Sequence, residues 1–116
     1  MRVDVRQAGP VILVDFRGRL VAGTGDELLR DVINELLAEG WQKILLNLTE
    51  VDKIDSAGVG ELVAGRRLAE RFGSTVRLLL TPGRVHHVLE LSQILPTFEV
   101  FENESEAVAS FGEESC

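Results

Sequence analysis

Ser56 lies in the run Val51-Asp52-Lys53-Ile54-Asp55-Ser56-Ala57-Gly58-Val59-Gly60, where a hydroxyl has a carboxylate on one side and small residues on the other. The run reads as a loop that delivers Ser56 to the start of a helix. There the first backbone N–H groups are unpaired and the helix dipole is partly positive, so an anion gains about 0.3–1 kcal/mol. Read as structure alone, Ser56 or Asp55 is an N-cap and the glycines allow close helix packing. Yet two glycines in a first turn cost about 1 kcal/mol each relative to alanine, and a cap does not require them. The spacing therefore also admits close approach by another molecule.

Other reactive constellations are weaker. His86 and His87 are neighbours on an expected helix and point in different directions, which makes them poor joint metal ligands. Asp52, Asp55 and Glu61 are acids in an acidic chain and read as solvated surface. Ser56 lacks the first glycine of a G-x-S-x-G elbow, and the Gly58-Val59-Gly60 pair lacks the third glycine of a dinucleotide fingerprint. Arg66, Arg67 and Arg71 lie along one flank of the same helix and could meet an acidic partner, while Val59 and Val63 read equally as core or as an apolar contact patch. No catalytic residue, metal ligand or cofactor site is expected, and the protein reads as a binding module and not an enzyme.

The elements that must position Ser56 follow from hydrophobic periodicity. Val3–Val5 and Val11–Phe16 read as antiparallel strands joined at Gly9-Pro10, followed by a loop from Gly18 to Gly25. Thr24 and Glu27 have the spacing of a capping box for a helix from about Asp26, with Leu28, Leu29, Val32, Ile33, Leu36 and Leu37 as its core face and Gly40 as its stop. Ile44–Leu48 is nearly continuously apolar, as in a strand covered on both faces, with Asn47 the polar exception. Helix Ser56–Phe72, strand Val76–Leu80 and a helix opening at Thr81-Pro82 and carrying Val85, Val88 and Leu89 complete two β–α–β crossovers. Phe98–Phe101 reads as an edge strand, and Asn103 with Glu106 as the start of a last helix.

The bulk properties bound the rest. A chain of 116 residues with 45% apolar and 27% charged residues forms one domain, expected over residues 1–112 with a short tail at 113–116. Twelve basic against 19 acidic residues give a net charge of −7, and Lys43 and Lys53 are the only lysines, which argues against nucleic acid or anionic lipid as a partner. Cys116 is the sole cysteine, so no internal disulfide or cysteine-based zinc site is expected. No signal-like segment or run long enough to span a membrane is evident, and a cytoplasmic protein without membrane insertion is expected.

At this point the sequence resembles a known family. Asp55-Ser56-Ala57-Gly58-Val59-Gly60 is similar to the Asp-Ser-(Ser/Thr/Ala)-Gly-(Leu/Val)-Gly signature of STAS domains of the bacterial anti-sigma-factor-antagonist type. Ile44–Leu48 resembles the strand before that signature, Gly18-Arg19-Leu20 the turn after the second strand, and Val85–Leu91 the third helix with its Val-Leu-Glu-Leu run. The resemblance implies an α/β fold with a mixed sheet of four or five strands and about four helices mainly on one face. It also implies binding to an anti-sigma factor that is a serine kinase, release on phosphorylation, and resetting by a separate serine phosphatase. The acceptor carries over to Ser56, since the next position is Ala57 and has no hydroxyl. The implied contact surface is Asp55, Ser56, Ala57, Gly58, Val59 and Gly60, with Thr24 nearby, although Thr24 reads better as a helix cap. Val21 departs from the family, many of whose members carry an acid there, and this weakens the case for a conventional kinase. The alternative is an STAS subunit of another complex, such as a lipid-transport ABC system, binding without phosphorylation.

Overall fold

A hairpin opens the chain: β1 (Arg2–Ala8) pairs antiparallel with β2 (Val11–Leu20) about the Gly9-Pro10 turn, Ala8 facing Val11. From there the chain alternates α1 (Asp26–Ala38), β3 (Lys43–Ile54), α2 (Ser56–Arg71), β4 (Thr75–Leu79), α3 (Arg84–Leu91), a 3-10 turn at Leu95–Thr97, β5 (Val100–Phe101) and α4 (Glu104–Gly112). This computed structural model describes residues 1–112, and the tail expected at 113–116 lies outside the described residues.

The five strands lie in the order β1-β2-β3-β4-β5, and β2 through β5 are parallel. Each parallel connection is a crossover, and crossovers of one hand that always advance in one direction must place their helices on the same face. Accordingly α1, α2 and α3 cover one face over Ile12, Val14, Phe16, Ile44, Leu46, Leu48, Leu78 and Leu80. The other face receives α4, whose Ala107 and Phe111 cover Val11, Leu13, Leu45 and Leu79. The expected mixed sheet with helices mainly on one face is the fold observed.

β3 is longer than its apolar run suggests. Its register against β2 slips between Asp15 and Arg17 and again between Gly18 and Arg19, and each slip adds one residue on the β3 side. An extra residue reverses which face the following side chains take. On the helix-covered face, buried positions therefore change from every second residue (Ile44, Leu46, Leu48) to every third (Leu48, Val51, Ile54), and all five line that core. Alternation is lost after Leu48 although the strand continues, and β2 likewise runs through the expected loop to Leu20.

Three further expectations are corrected. Leu28 is 37% exposed and lies off the core face of α1, which is Leu29, Ile33, Leu36 and Leu37. Helix α3 begins at Arg84 and not at Thr81-Pro82, because the Gly83 carbonyl accepts the His87 N–H bond that opens it. Only Val100 and Phe101 pair as the last strand, while Phe98 is turned into the core. The stop at Gly40 is as expected: Gly40 and Trp41 donate to the Leu37 and Leu36 carbonyls in a left-handed helix end. Asn103 Oδ1 accepts the Glu106 N–H, as its capping position requires.

Asn47 is polar because it serves a buried charge. Asp15, 7% exposed, accepts from Arg6 Nε and Nη2 at 2.6 and 3.0 Å and from Asn47 Nδ2 at 2.8 Å. Arg6 also reaches Glu104 at 2.7 Å, which ties β1 and β2 to α4. The Arg6 hydrogen bond holds the Asp15 carboxyl below the usual carboxylate range, with burial opposing and Asn47 assisting. A carboxyl shifted in this direction stabilises the fold above its unfolded value, near 4, and loses that contribution as pH falls through the lower folded value. Asp15→Asn is expected to cost about 1–3 kcal/mol at pH 7, with the gap from wild type narrowing below about pH 4. Urea unfolding of both proteins at neutral and acidic pH measures this, and a gap that does not change with pH would show that the ionised pair contributes nothing.

Candidate functional site

β3 ends at Ile54 and α2 begins at Ser56, so a single residue, Asp55, makes the connection that the sequence reads as a loop. Asp55 has extended backbone and is the N-cap: its Oδ1 accepts from the Ala57 and Gly58 N–H groups at 3.0 and 3.1 Å. Its Oδ2 accepts from the Ala22 N–H at 3.0 Å. One carboxylate thus fastens the start of α2 to the loop that follows β2. These backbone donors, Ala22 first and then Gly58, hold its pKa below the ordinary value.

Ser56 is released from the capping role that the sequence leaves open to it. It is the first helical residue, it is exposed, and its hydroxyl has no hydrogen-bond partner among the described residues. By contrast the hydroxyls of Ser74 and Ser92 donate to the Trp41 and Val88 carbonyls. The amides best placed to receive an anion at this helix start are already held by Asp55. An anion on Ser56 must compete with that carboxylate, so the simple stabilisation expected from the helix dipole is offset.

The two glycines of the first turns differ. Gly58 is buried, and a Cβ there would overlap the Leu20 carbonyl oxygen and come within 2.8 Å of Ile54 Cγ1. The close approach at Gly58 is therefore made by the protein's own β2 and not by a partner. Gly60 is exposed, with nothing within 4 Å of where its Cβ would be. Ala57 and Val59 are half-buried, and Val59 and Val63 pack against the core.

The Thr24–Glu27 capping box does not form. Gly25 is the N-cap of α1, with φ of 94° and no side-chain cap, which puts Thr24 one residue outside the helix. The conformation needs glycine twice over, since a Cβ would lie 2.6 Å from the Arg19 carbonyl and 2.8 Å from Met1 Cε. Thr24 instead closes a tight turn, exchanging backbone bonds with Val21 at 2.9 Å, and its side chain is exposed. The structure thus gathers Val21, Ala22 and Thr24 beside the Asp55–Gly60 segment. The bond from Ala22 to Asp55 had no signal in the sequence, because it joins residues 33 apart through a backbone amide.

The remaining candidates separate. Glu61 pairs with Arg30 of α1, Asp52 is exposed, and His86 lies 3.3 Å from Glu90. Among the described residues no group of three or more His, Cys, Asp or Glu could hold a metal ion, and no helix is long and apolar enough to cross a membrane.

Comparison with known proteins bears on the family and the fold. The sequence model of the STAS domain family matches residues 2–107. A Thermotoga neapolitana relative, named as an anti-sigma factor antagonist homolog, is 31% identical over 77 residues, covering 66% of this chain and 68% of its own. The fold matches an anti-sigma factor antagonist from Thermotoga maritima with a TM-score of 0.84 at 24% identity, covering 93% of this chain and 92% of that one. It also matches the Bacillus cell fate determinant SpoIIAA in its phosphorylated form, with a TM-score of 0.71 at 20% identity, covering 95% and 99%.

The glycine geometry makes a paired prediction. Gly58→Ala is expected to destabilise by about 2–3 kcal/mol, because its Cβ has no space against β2. Gly60→Ala, in open space on a helix, is expected to stabilise by up to about 1 kcal/mol. Thermal and urea unfolding check both, and equal effects would contradict the close approach of α2 to β2.

Proposed function

This chain belongs to the STAS domain family, and on that premise we propose that it is an anti-sigma-factor antagonist: a binding protein, not an enzyme, switched off by phosphorylation of Ser56. The observation that carries this reading is the division of labour between Asp55 and Ser56. Asp55 performs the capping, which leaves Ser56 exposed with an unengaged hydroxyl on the helix start. A structural residue at this position would be expected to use its oxygen. The names of the relatives support the class of partner, an anti-sigma factor. In the finer reading that partner is also the serine kinase, a serine phosphatase resets the switch, and the exchange takes place in the cytoplasm.

The contact surface in this proposal is Ser56 and Gly60 with the half-buried Asp55, Ala57 and Val59, flanked by Thr24. Gly58 contributes from beneath by letting α2 sit close to β2. A phosphate on Ser56 adds nearly two negative charges beside a carboxylate that already holds the local amides. Either the phosphate stays unpaired in the interface, or it displaces Asp55 and frees the Ala22 amide. Both outcomes oppose a partner shaped to the unmodified surface. A loss of about 2.7 kcal/mol is a hundredfold in affinity.

The cognate anti-sigma kinase with ATP is expected to add one phosphate, at Ser56, as read by intact mass and peptide mapping. Ser56→Ala is expected to fold with little loss of stability, to bind, and to resist switching off. Ser56→Asp is expected to fold and to bind at least tenfold more weakly, by calorimetric titration with circular dichroism as the folding control. Modification persisting in Ser56→Ala would sink the assignment of the acceptor, and equal affinity of all three proteins would transfer the reading to a phosphorylation-independent STAS subunit.

A further inference from the structure

The three arginines that the sequence sets along one flank of α2 do not stay together. Arg66 turns toward Glu70 and the ring of Phe98. Arg67 and Arg71 instead border a groove of about 620 Å³ between α1 and α2. The floor of this groove is apolar, formed by Ile33 of α1 and by Ala64, Gly65 and Leu68 of α2. Its end nearer Ser56 is closed by a two-pronged bridge, in which Arg30 Nε and Nη2 donate to Glu61 at 3.0 and 2.8 Å.

Arg67 and Arg71 are both exposed, and neither has an ion pair among the described residues. They are one helical turn apart, a spacing at which like charges repel and destabilise a helix. In a chain with 19 acids against 12 bases, the fold gains nothing from leaving two such cations unneutralised beside an apolar trough. The groove begins at Glu61, just past the signature, but Arg67 and Arg71 lie farther off, about 16 and 22 Å from Ser56 along the helix axis.

The spacing of the charges selects the occupant. A single anionic headgroup is best met by cations that converge on one point. Cations about 6 Å apart along a helix match carboxylates repeated at the same i, i+4 interval on another helix. The gap between two helices is also the natural seat for the apolar stripe of a third. We propose that the α1–α2 groove is a second docking surface, independent of the state of Ser56, for an amphipathic helix of a protein partner whose apolar stripe is edged by acidic residues one turn apart.

The test uses the full chain, isotope-labelled for NMR. The probe is a helical peptide of about 18 residues with a leucine stripe edged by glutamates, compared with the same peptide carrying lysines at those positions. The glutamate peptide is expected to shift the amides of Ala64, Gly65 and Leu68 and to bind at least tenfold more tightly than the lysine peptide. Arg67→Glu with Arg71→Glu is expected to reverse that preference, Ala64→Gln to weaken binding by filling the trough, and Arg84→Glu, a charge control on α3, to leave it unchanged. No binding, equal binding of the two peptides, or shifts confined to other surfaces would overturn the proposal. So would dodecanoate perturbing the groove where the peptide does not, which would assign it to a small anionic amphiphile. Sedimentation showing a dimer that depends on Arg67 and Arg71 would assign it to a second copy of this chain and would equally overturn it.

Discussion

The carbonyl oxygen of Leu20 and the first turn of α2 meet with no room for a side chain between them, and the geometry of the candidate site follows from that contact. Gly58 makes it possible, since any Cβ would overlap the carbonyl oxygen. The same carbonyl accepts the Asp55 N–H at 3.4 Å, so the residue before the helix is held from β2 while its side chain reaches Ala22 and the helix amides. Moving α2 outward by the width of a methyl group would disturb these bonds together. The helix start, the turn at Val21–Thr24 and the end of β2 are therefore tied together, with Ser56 at the surface.

This arrangement treats negative charge in two ways. Asp55 is a permanent anion whose acceptor capacity is used by three backbone amides, a structural use of the positive end of a helix. Ser56, the next residue, has no such commitment. A charge arriving there either stays unpaired at the surface or competes with Asp55 for the local amides. A cap beside an unengaged hydroxyl suits a switch that changes recognition without unfolding the domain.

Elsewhere the charges serve the fold in proportion to their burial. Arg6, Asp15, Asn47 and Glu104 join β1, β2, β3 and α4 on the sheet face opposite the three crossover helices, and the most buried member, Asp15, is held by both Arg6 and Asn47. Arg77, 4% exposed, lies over the ring of Phe111 and donates to Ser110, which anchors the other side of α4. Arg67 and Arg71 stand outside this pattern, being exposed and bordering an apolar trough.

The sequence by itself determined what is local or periodic. The helix stripes, the Gly9-Pro10 hairpin, the Gly40 stop, the Asn103 cap and the order of strands and helices are written in neighbouring residues, because a helix or turn is satisfied within a few positions. The signature from Asp55 to Gly60 was legible as a motif for the same reason. What only the tertiary structure decided depends on residues distant in sequence. The two slips in β3 hid its second half, since they change the apolar period without a change in composition. Whether Asp55 or Ser56 caps α2, and whether Gly58 or Gly60 is required, depended on Leu20 and Ala22, more than thirty residues away. Thr24 lost its cap because Gly25 adopts a backbone that places the helix start one residue later, against Met1 and Arg19. The three arginines of α2 are separated by what each one meets, Arg66 meeting Glu70 and Phe98 while Arg67 and Arg71 border the groove with α1. In each case the deciding partner is a backbone atom or a packed neighbour across the fold, and a side-chain pattern does not record where the backbone of a distant segment will lie.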